Sequence, residues 1–193
     1  MISAILLAAG ESRRMGQFKQ LLTISDKSFV EHCADNLLAS HIDELIIVTG
    51  HRAEDVRSAV GERSVRFAHN VDYQSGMASS IKCGFGALSE ESQACVVALV
   101  DQPTIGAEVI NLVIDCYEKA HEAIVIPTYQ GRNGHPIIVD RSLNSEILAM
   151  DNEQGLRQVV RAHHDRVARV EVYTELVLAD CDLPEDYQRI LKR

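Results

Sequence analysis

Short apolar runs that alternate with stretches of helical periodicity are the feature that most limits how this chain can fold. Five runs have the length and composition of buried strands, at residues 5–9, 45–48, 65–68, 95–100 and 124–126. The segments between them carry apolar residues at helical spacing, over residues 30–39, 53–60, 79–88 and 107–120. Strands that alternate with helices are typical of a mostly parallel sheet covered on both faces, so we expect an α/β fold of three layers.

The region after residue 128 has a different pattern. Gly131, the Asn133-Gly134 pair and Pro136 predict a hairpin over residues 129–139, which we expect to be inserted above the sheet. Residues 142–150 and 155–163 are then predicted to form two helices. Because no linker, repeat or low-complexity segment interrupts the sequence, residues 1–193 are expected to form a single domain.

The composition is that of a globular protein, with 46% hydrophobic and 24% charged residues among 193. A formal net charge of −9 disfavours a nucleic-acid partner or an anionic membrane surface. The start of the chain has no basic segment before its apolar run, and no apolar stretch approaches the ~18 residues that span a bilayer, so we expect a cytoplasmic protein. The five scattered cysteines favour reduced thiols over disulfides or a zinc site.

The loop after the first predicted strand is rich in glycines and cations. Gly10 and Gly16 let backbone N–H groups come close to a ligand, and Arg13, Arg14 and Lys19 place three positive charges in one short segment. Anion binding is one interpretation of this loop, and a surface turn with solvated arginines is the other. The spacing of the glycines and the lysine excludes a Walker loop, and a Gly-x-Gly-x-x-Gly motif is absent.

Asp101 is the first polar residue after the apolar run of residues 95–100. In a parallel sheet it would emerge at the same edge as the Gly10 loop, where ligands of such folds bind. A carboxylate there suits Mg²⁺, which neutralises a triphosphate next to an anionic acceptor. The alternative is a structural role, because an aspartate in this place can also form a turn or cap the helix that begins near residue 106.

A family resemblance covers nearly the whole chain. The pattern Leu-x-Ala-Ala-Gly-x-Ser-x-Arg-Met-Gly-x-x-Lys occupies residues 6–19 and continues into Gln20-Leu21-Leu22, and further blocks follow at residues 70–84, 100–103 and 180–186. In these blocks the chain resembles the molybdenum-cofactor nucleotidylyltransferases, which implies a three-layer, Rossmann-like nucleotidyltransferase fold. The Asp-Gln-Pro and Gly-Met-Ala-Ser-Ser blocks are most similar to the cytidylyltransferase branch.

The resemblance also implies a set of site residues. Arg14 and Lys19 would bind the triphosphate and act in catalysis with Asp101, whereas Arg13 would be solvated. Nucleotide contacts are implied for Leu7, Ala8, Ala9, Gly10, Ser12, Asn70, Asp72, Gly76, Ser79 and Ser80. Mg²⁺ is implied as the cofactor, with ligands drawn from Asp101, Asp180 and Asp182. A plain glycine-containing turn followed by a serine cap would equally explain residues 76–80.

The implied reaction is nucleotidyl transfer, in which a terminal phosphate of the acceptor attacks the α-phosphorus of CTP in line and expels pyrophosphate. Positioning and charge stabilisation would do the catalytic work, without a strong general base. CTP is favoured over GTP because the first loop has Leu-Ala-Ala-Gly rather than Leu-Ala-Gly-Gly. Molybdopterin is the favoured acceptor, and an apo-molybdoenzyme would be a further partner.

Two segments bear on the acceptor. Asn133-Gly134-His135-Pro136 matches a Gly-His-Pro turn that lies near the acceptor in relatives, although such a turn can exist without a function. Residues 150–157 depart from the Gly-Asp-x-Gly-Ala-Arg of the family, and Arg157 there would meet an acceptor phosphate or lie on a helix surface. Two other functions therefore stay open: nucleotidyl transfer to a sugar or polyol phosphate, and a non-catalytic carrier or chaperone of the molybdenum cofactor.

Overall fold

An eight-stranded sheet forms the centre of the computed structural model, within residues 1–192, which are the residues that the structure describes. The strands along the chain are β1 (Ile2–Leu7), β2 (Thr23–Ile24), β3 (Lys27–Ser28), β4 (Glu44–Thr49), β5 (Arg66–His69), β6 (Ala94–Leu99), β7 (Ile124–Tyr129), β8 (Arg132–Asn133), β9 (Ile137–Asp140) and β10 (Val167–Glu171). The sheet has the order β10-β7-β9-β6-β1-β4-β5, with β8 paired to β7, while β2 and β3 form a separate small hairpin.

Helices cover both faces of this sheet. They are α1 (Phe29–Leu38), α2 (Ala53–Val60), α3 (Met77–Gly86), α4 (Ala107–Ala120), α5 (Asn144–Ala149), α6 (Leu156–Ala162) and α7 (Pro184–Leu191). Buried residues of α1, α2 and α4 pack in one core, and those of α3, α5 and α6 pack in the other. No helix within residues 1–192 is long and apolar enough to cross a membrane.

The side chains of β1 show why the sheet has two cores. Ala4 and Leu6 point into one core, Ile5 and Leu7 into the other, and all four are buried. A strand that is buried on both faces has a continuous apolar sequence rather than an alternating one. The predicted three-layer α/β architecture is confirmed, and so are the predicted strands that became β1, β4, β5, β6 and β7, with shifts of a few residues at their ends.

The predicted position of the hairpin was wrong. Residues 129–139 do not sit above the sheet, because β9 enters the sheet between β6 and β7 and pairs antiparallel with both. Ile137, Ile138 and Val139 are buried there. A further strand, β10, was not predicted, and it pairs parallel with β7 at the edge of the sheet.

Local sequence signals explain where two helices begin. At α1 the Ser28 backbone N–H donates to the Glu31 carboxylate at 2.8 Å, the pairing of a capping box. At α7 Pro184 occupies the first turn, and the Leu183 N–H donates to the Asp186 carboxylate at 2.9 Å. The second of these helices fixes the end of the segment that carries Asp180 and Asp182. All five cysteines are free thiols, as the sequence predicted.

Candidate active site

The loops that follow β1 and β6 lie side by side at one edge of the sheet. The two strands are parallel neighbours with Leu7 opposite Leu99, and the Val100 N–H donates to the Leu7 carbonyl at 3.3 Å. Between the loops lies a cavity of about 360 Å³, termed here the β1–β6 cavity. Its lining includes most of the predicted site residues, namely Leu7, Ala9, Gly10, Ser12, Arg14, Lys19, Gly76, Ser80, Asp101, Asp180 and Asp182.

Gln20 holds the first loop in shape. Its side chain is 1% exposed, and its Nε2 donates to the carbonyls of Ala8 at 3.1 Å and Gly10 at 2.7 Å. Its Oε1 accepts from the Ser12 hydroxyl at 3.0 Å, and that hydroxyl accepts from the Lys19 N–H at 3.1 Å. Ser12 and Ala8 are thus engaged within the loop. The sequence motif assigned no role to Gln20, although a polar residue directly after Lys19, within the block that resembles the family, was the available signal.

The turn of residues 10–14 offers unpaired donors. The backbone N–H groups of these residues donate to no acceptor among residues 1–192, and Ser12 has a φ angle of 57°, in the left-handed region. Successive free N–H groups in such a turn form a concave site for an anion. Arg13 contacts the Glu11 carboxylate and is 78% exposed, which agrees with its expected solvation, although it also reaches the cavity rim.

Lys19 lies at the centre of a network of charges. Its Nζ is 2.9 Å from Asp101 Oδ2 and 2.8 Å from Asp182 Oδ1, and the other oxygen of Asp182 is 2.7 Å from Arg14 Nη2. Burial alone would lower the pKa of Lys19, but the two carboxylates outweigh it and raise that pKa. Burial opposes ionisation of Asp182 as well, yet Lys19 and Arg14 keep its pKa below the ordinary value. Lys19 and Asp182 are therefore both charged at neutral pH.

Asp101 and Asp180 supply the oxygen atoms that suit a divalent cation. Oδ1 of Asp101 is buried and has no hydrogen-bond partner among the described residues. The Cys181 N–H donates to the Asp101 carbonyl at 3.0 Å, which fixes the neighbouring Asp180 next to it. Burial, and then the charge of Asp101, raise the pKa of Asp180, while Gln102 Nε2 donates to its Oδ1 at 2.9 Å.

This donor set fits Mg²⁺ or Mn²⁺. Residues 1–192 hold no cluster of three metal-ligating side chains, but a hard cation that also binds phosphates and water needs only one or two carboxylates. Asp101 has an unpaired buried oxygen to offer, and Asp180 forms no ion pair with a cationic side chain among residues 1–192. Asp182 is less suited, because each of its oxygens already faces a cation.

The predicted block of residues 70–80 divides between two surfaces. Gly76 and Ser80 line the β1–β6 cavity, and Gly76 has a φ angle of 100°, which favours glycine. Asn70 is 5% exposed, and its Nδ2 donates to the hydroxyls of Ser79 at 2.8 Å and Ser80 at 3.0 Å. Asn70, Asp72 and Ser79 line a different surface depression. These three residues organise the turn and do not line the β1–β6 cavity themselves.

A larger cavity of about 820 Å³ adjoins the first and is termed the α6 cavity. Met77, Leu99 and Asp180 line both cavities, so the two meet beside the charge network. His135 and Arg157, which the sequence placed near an acceptor, both line the α6 cavity. Arg157 thus reaches a cavity rather than only a helix surface. Arg161 and Arg169 on the same wall were missed by the sequence analysis.

The Gly134-His135 turn has a packing role of its own. A Cβ atom at Gly134 would collide with the Val177 carbonyl oxygen, and the His135 N–H donates to that carbonyl at 3.0 Å. The turn therefore anchors the 3-10 turn Glu175–Leu178, which precedes Asp180. Burial lowers the pKa of His135, so its imidazole is neutral at pH 7.

Comparisons with known proteins agree with this geometry. The family model for the MobA-like NTP transferase domain matches residues 4–167. The molybdenum cofactor cytidylyltransferase of Escherichia coli (strain K12) is 26% identical over 189 residues, which cover 96% of this chain and 93% of that protein.

Two solved structures are similar over the whole chain. Rv0371c of Mycobacterium tuberculosis in complex with manganese is 25% identical to this chain, with a TM-score of 0.84. The match covers 100% of this chain and 98% of that structure. A nucleotidyl transferase from Methanothermobacter thermautotroptrophicus is also 25% identical, with a TM-score of 0.85. The match covers 100% of this chain and 96% of that structure. Because the family model spans most of the sequence and these relatives align over nearly all of it, this chain belongs to the MobA-like NTP transferase family and is a nucleotidyltransferase.

Proposed function

We propose that this chain transfers CMP from CTP to the terminal phosphate of molybdopterin, in a reaction that depends on Mg²⁺ and releases pyrophosphate. The observation that carries the proposal is the meeting of two cavities at Asp180, beside the contact between Lys19 and Asp101. One cavity has the donors for a triphosphate, and the other has room and positive charge for a phosphorylated acceptor. The name of the Escherichia coli relative supports both CTP and the molybdenum cofactor as substrates.

The triphosphate would lie in the β1–β6 cavity against the first loop. The free N–H groups of residues 10–14 would bind phosphate oxygens, and Arg14 at the rim would pair with the outer phosphates. The Lys19 ammonium would turn from its carboxylates towards the α-phosphate. Unlike Lys19, the backbone N–H groups of the loop are fixed before the substrate arrives, so they would stabilise developing negative charge without reorganisation.

Asp101 and Asp180 would hold Mg²⁺ where the two cavities meet. The bound ion would supply positive charge that offsets the repulsion between the triphosphate and the anionic acceptor. The manganese complex of Rv0371c supports a divalent ion in proteins of this shape. Asp182 would keep Lys19 and Arg14 oriented instead of acting as a ligand.

The acceptor would enter through the α6 cavity. Its phosphate is already an anion at neutral pH, so an acceptor oxygen can form a bond to the α-phosphorus while the bond to pyrophosphate breaks, without a base to remove a proton. Arg157 would orient this phosphate, and the neutral His135 would donate or accept a hydrogen bond beside it. Holding both reactants in line supplies much of the rate enhancement in such reactions.

The first loop also bears on the choice of base. Ala9 lines the β1–β6 cavity and is 3% exposed. A glycine in that position would leave more room for a purine. This supports cytosine over guanine, in agreement with the Leu-Ala-Ala-Gly sequence.

Pyrophosphate release with molybdopterin and each of the four nucleoside triphosphates tests the proposal. We expect release with CTP and Mg²⁺, little with GTP, and at least a 100-fold slower rate for Asp101→Asn. N-acetylglucosamine 1-phosphate and a polyol phosphate serve as competing acceptors. Release with those acceptors but not with molybdopterin would contradict the proposed acceptor, and binding of molybdopterin without release from any triphosphate would support a carrier instead.

A further inference from the structure

One wall of the α6 cavity carries a cluster of positive charge. Arg157 and Arg161 lie four residues apart on α6, Arg169 lies on β10, and all three line the cavity together with His164. Residues at this spacing on a helix share a face. The whole chain has a formal net charge of −9, so this wall is a local reversal of charge.

The arginines of this wall lack anionic partners in the part of the chain that the structure describes. Among residues 1–192 no carboxylate forms an ion pair with Arg157, Arg161 or Arg169, and Arg169 Nε donates only to the Asn133 amide oxygen, at 3.4 Å. By contrast, Arg63 contacts two carboxylates and is well covered. Like charges four residues apart destabilise a helix. All three arginines are exposed, so their guanidinium groups are open to an anionic ligand in this cavity.

The rest of the cavity is mainly apolar. Glu153 and Asp180 are the carboxylates on its lining within the described chain, and Asp180 belongs to the end where the two cavities meet. The floor between the two ends is formed by apolar side chains, including Ile81, Val97, Ile126, Ile137, Leu156 and Val160. Such a floor suits a ring system or hydrocarbon rather than a chain of hydroxyl groups.

The arginines lie at two different ends of the α6 cavity. Arg157 lies close enough to His135 to lower the pKa of that ring, after the larger effect of burial, so it belongs to the reacting end. Arg169 is on β10, three strands away from β6, which leads into Asp101. Since neighbouring strands are about 4.8 Å apart, the backbone of Arg169 lies about 14 Å across the sheet from that of β6, and the arginine side chain reaches back over part of that distance.

We propose that Arg161 and Arg169 bind a second anionic group of the acceptor, at the end opposite to the phosphate that reacts. The inference rests on the proposed function, because it takes the α6 cavity as the acceptor site. It defines the acceptor as a molecule with an apolar or aromatic middle and an anionic group at each end. Arg161 and Arg169 then determine acceptor specificity, because an acceptor that lacks the second anion leaves both guanidinium groups unpaired.

Two aryl phosphates test this site by binding alone. Phenyl phosphate and 4-carboxyphenyl phosphate share the ring and the phosphate, and they differ by one carboxylate at the far end. In calorimetric titrations we expect the wild type to bind the carboxylated probe at least tenfold more tightly, because its carboxylate makes charge-assisted hydrogen bonds to arginine. The double variant Arg161→Gln/Arg169→Gln should bind the two probes with equal affinity and keep its affinity for CTP.

Arg166→Gln is the matched control, because Arg166 is an exposed arginine between the two that does not line the cavity. It should keep the full preference for the carboxylated probe. Equal affinities in the wild type, absence of binding by the carboxylated probe, or a preference that survives the double variant would each overturn the inference.

These outcomes are separable from those of the proposed reaction. Pyrophosphate release with molybdopterin in a protein that shows no probe preference would overturn the second anion site alone. A probe preference that depends on the two arginines, without release from any triphosphate, would contradict the proposed reaction and leave the anion site standing.

Discussion

Nζ of Lys19 lies 2.9 Å from Oδ2 of Asp101, and the same ammonium lies 2.8 Å from Oδ1 of Asp182. These residues come from the first loop, the end of β6 and the segment before α7, so one side chain joins three distant parts of the sequence. The contact sets the charge balance of the cavity before any ligand binds. A triphosphate or a metal ion that binds here has to break or rearrange the ion pairs of Lys19. Lys19 is therefore the residue most closely tied to the proposed reaction.

We expect Lys19→Met to lower kcat for pyrophosphate release from CTP by about 100-fold or more, the usual cost of removing a donor that stabilises the transition state. Arg13→Met is the matched control, since Arg13 is 78% exposed and pairs with Glu11, and its kcat should change less than about twofold. Steady-state kinetics on variants with cooperative thermal unfolding provide the measurement. A Lys19→Met enzyme with the kcat of the wild type would remove Lys19 from the proposed machinery.

Asp180 and Asp182 should differ in their effect on metal binding. Within the described residues Asp180 forms no ion pair with a cation, whereas Asp182 contacts Lys19 and Arg14. In the presence of CTP, Asp180→Asn should therefore weaken Mn²⁺ binding at least tenfold, and Asp182→Asn should weaken it less. The free ion can be followed by electron paramagnetic resonance during a titration. The reverse order of the two variants would assign the second ligand to Asp182.

Removal of the Gln20 side chain should loosen the first loop. Gln20→Ala deletes buried hydrogen bonds to the Ala8 and Gly10 carbonyls, and leaving these groups unpaired costs about 1–3 kcal/mol of unfolding free energy. KM for CTP should rise as well, because the same loop carries the free N–H groups. Urea unfolding measures the first effect, with the exposed Gln17→Ala as control, expected within about 0.5 kcal/mol of wild type. Equal stability of the two variants would contradict the role of Gln20.

The pairing of Asp35 with Arg63 predicts a pH dependence of stability. A hydrogen bond from Arg63 lowers the pKa of Asp35 from 3.8 to about 2, with burial opposing it and Lys27 adding to it. The ionised carboxylate therefore contributes stability above the unfolded-state pKa of about 3.9, and this contribution is lost as the pH falls towards 2. The difference in unfolding free energy between wild type and Asp35→Asn should shrink over that interval. A difference that stays constant from pH 5 to pH 2 would contradict the pairing.

The central strands could be predicted from sequence because each is a continuous apolar run, whereas two outer strands could not. Residues 137–140 follow several turn residues and number only four, so their place between β6 and β7 depends on long-range pairing that no local pattern encodes. In β10 the charged Arg169 and Glu171 interrupt the apolar pattern. Both segments join the sheet because neighbouring strands complete their backbone hydrogen bonds. These pairings are tertiary contacts, which the local sequence does not reveal.

The candidate site divides in the same way. Lys19 and Asp101 follow strands that local patterns predict, so their meeting at one edge of a parallel sheet could be expected. The internal role of Asn70 could not be predicted, because its side-chain amide donates to serine hydroxyls nine and ten residues later in the chain. The second cavity was also not predicted, since Arg161 on α6 and Arg169 on β10 line one cavity only in the folded chain.

Calorimetric titration of CTP with Mg²⁺ into the wild type and Asp101→Ala, with GTP as the competing base, tests whether Asp101 holds the metal ion of a site that prefers CTP. We expect the wild type to bind CTP more tightly than GTP, and Asp101→Ala to lose most of the Mg²⁺-dependent part of this affinity. CTP binding that is unchanged in Asp101→Ala would contradict the proposed metal and nucleotide site, and equal affinities for CTP and GTP in the wild type would contradict the proposed base.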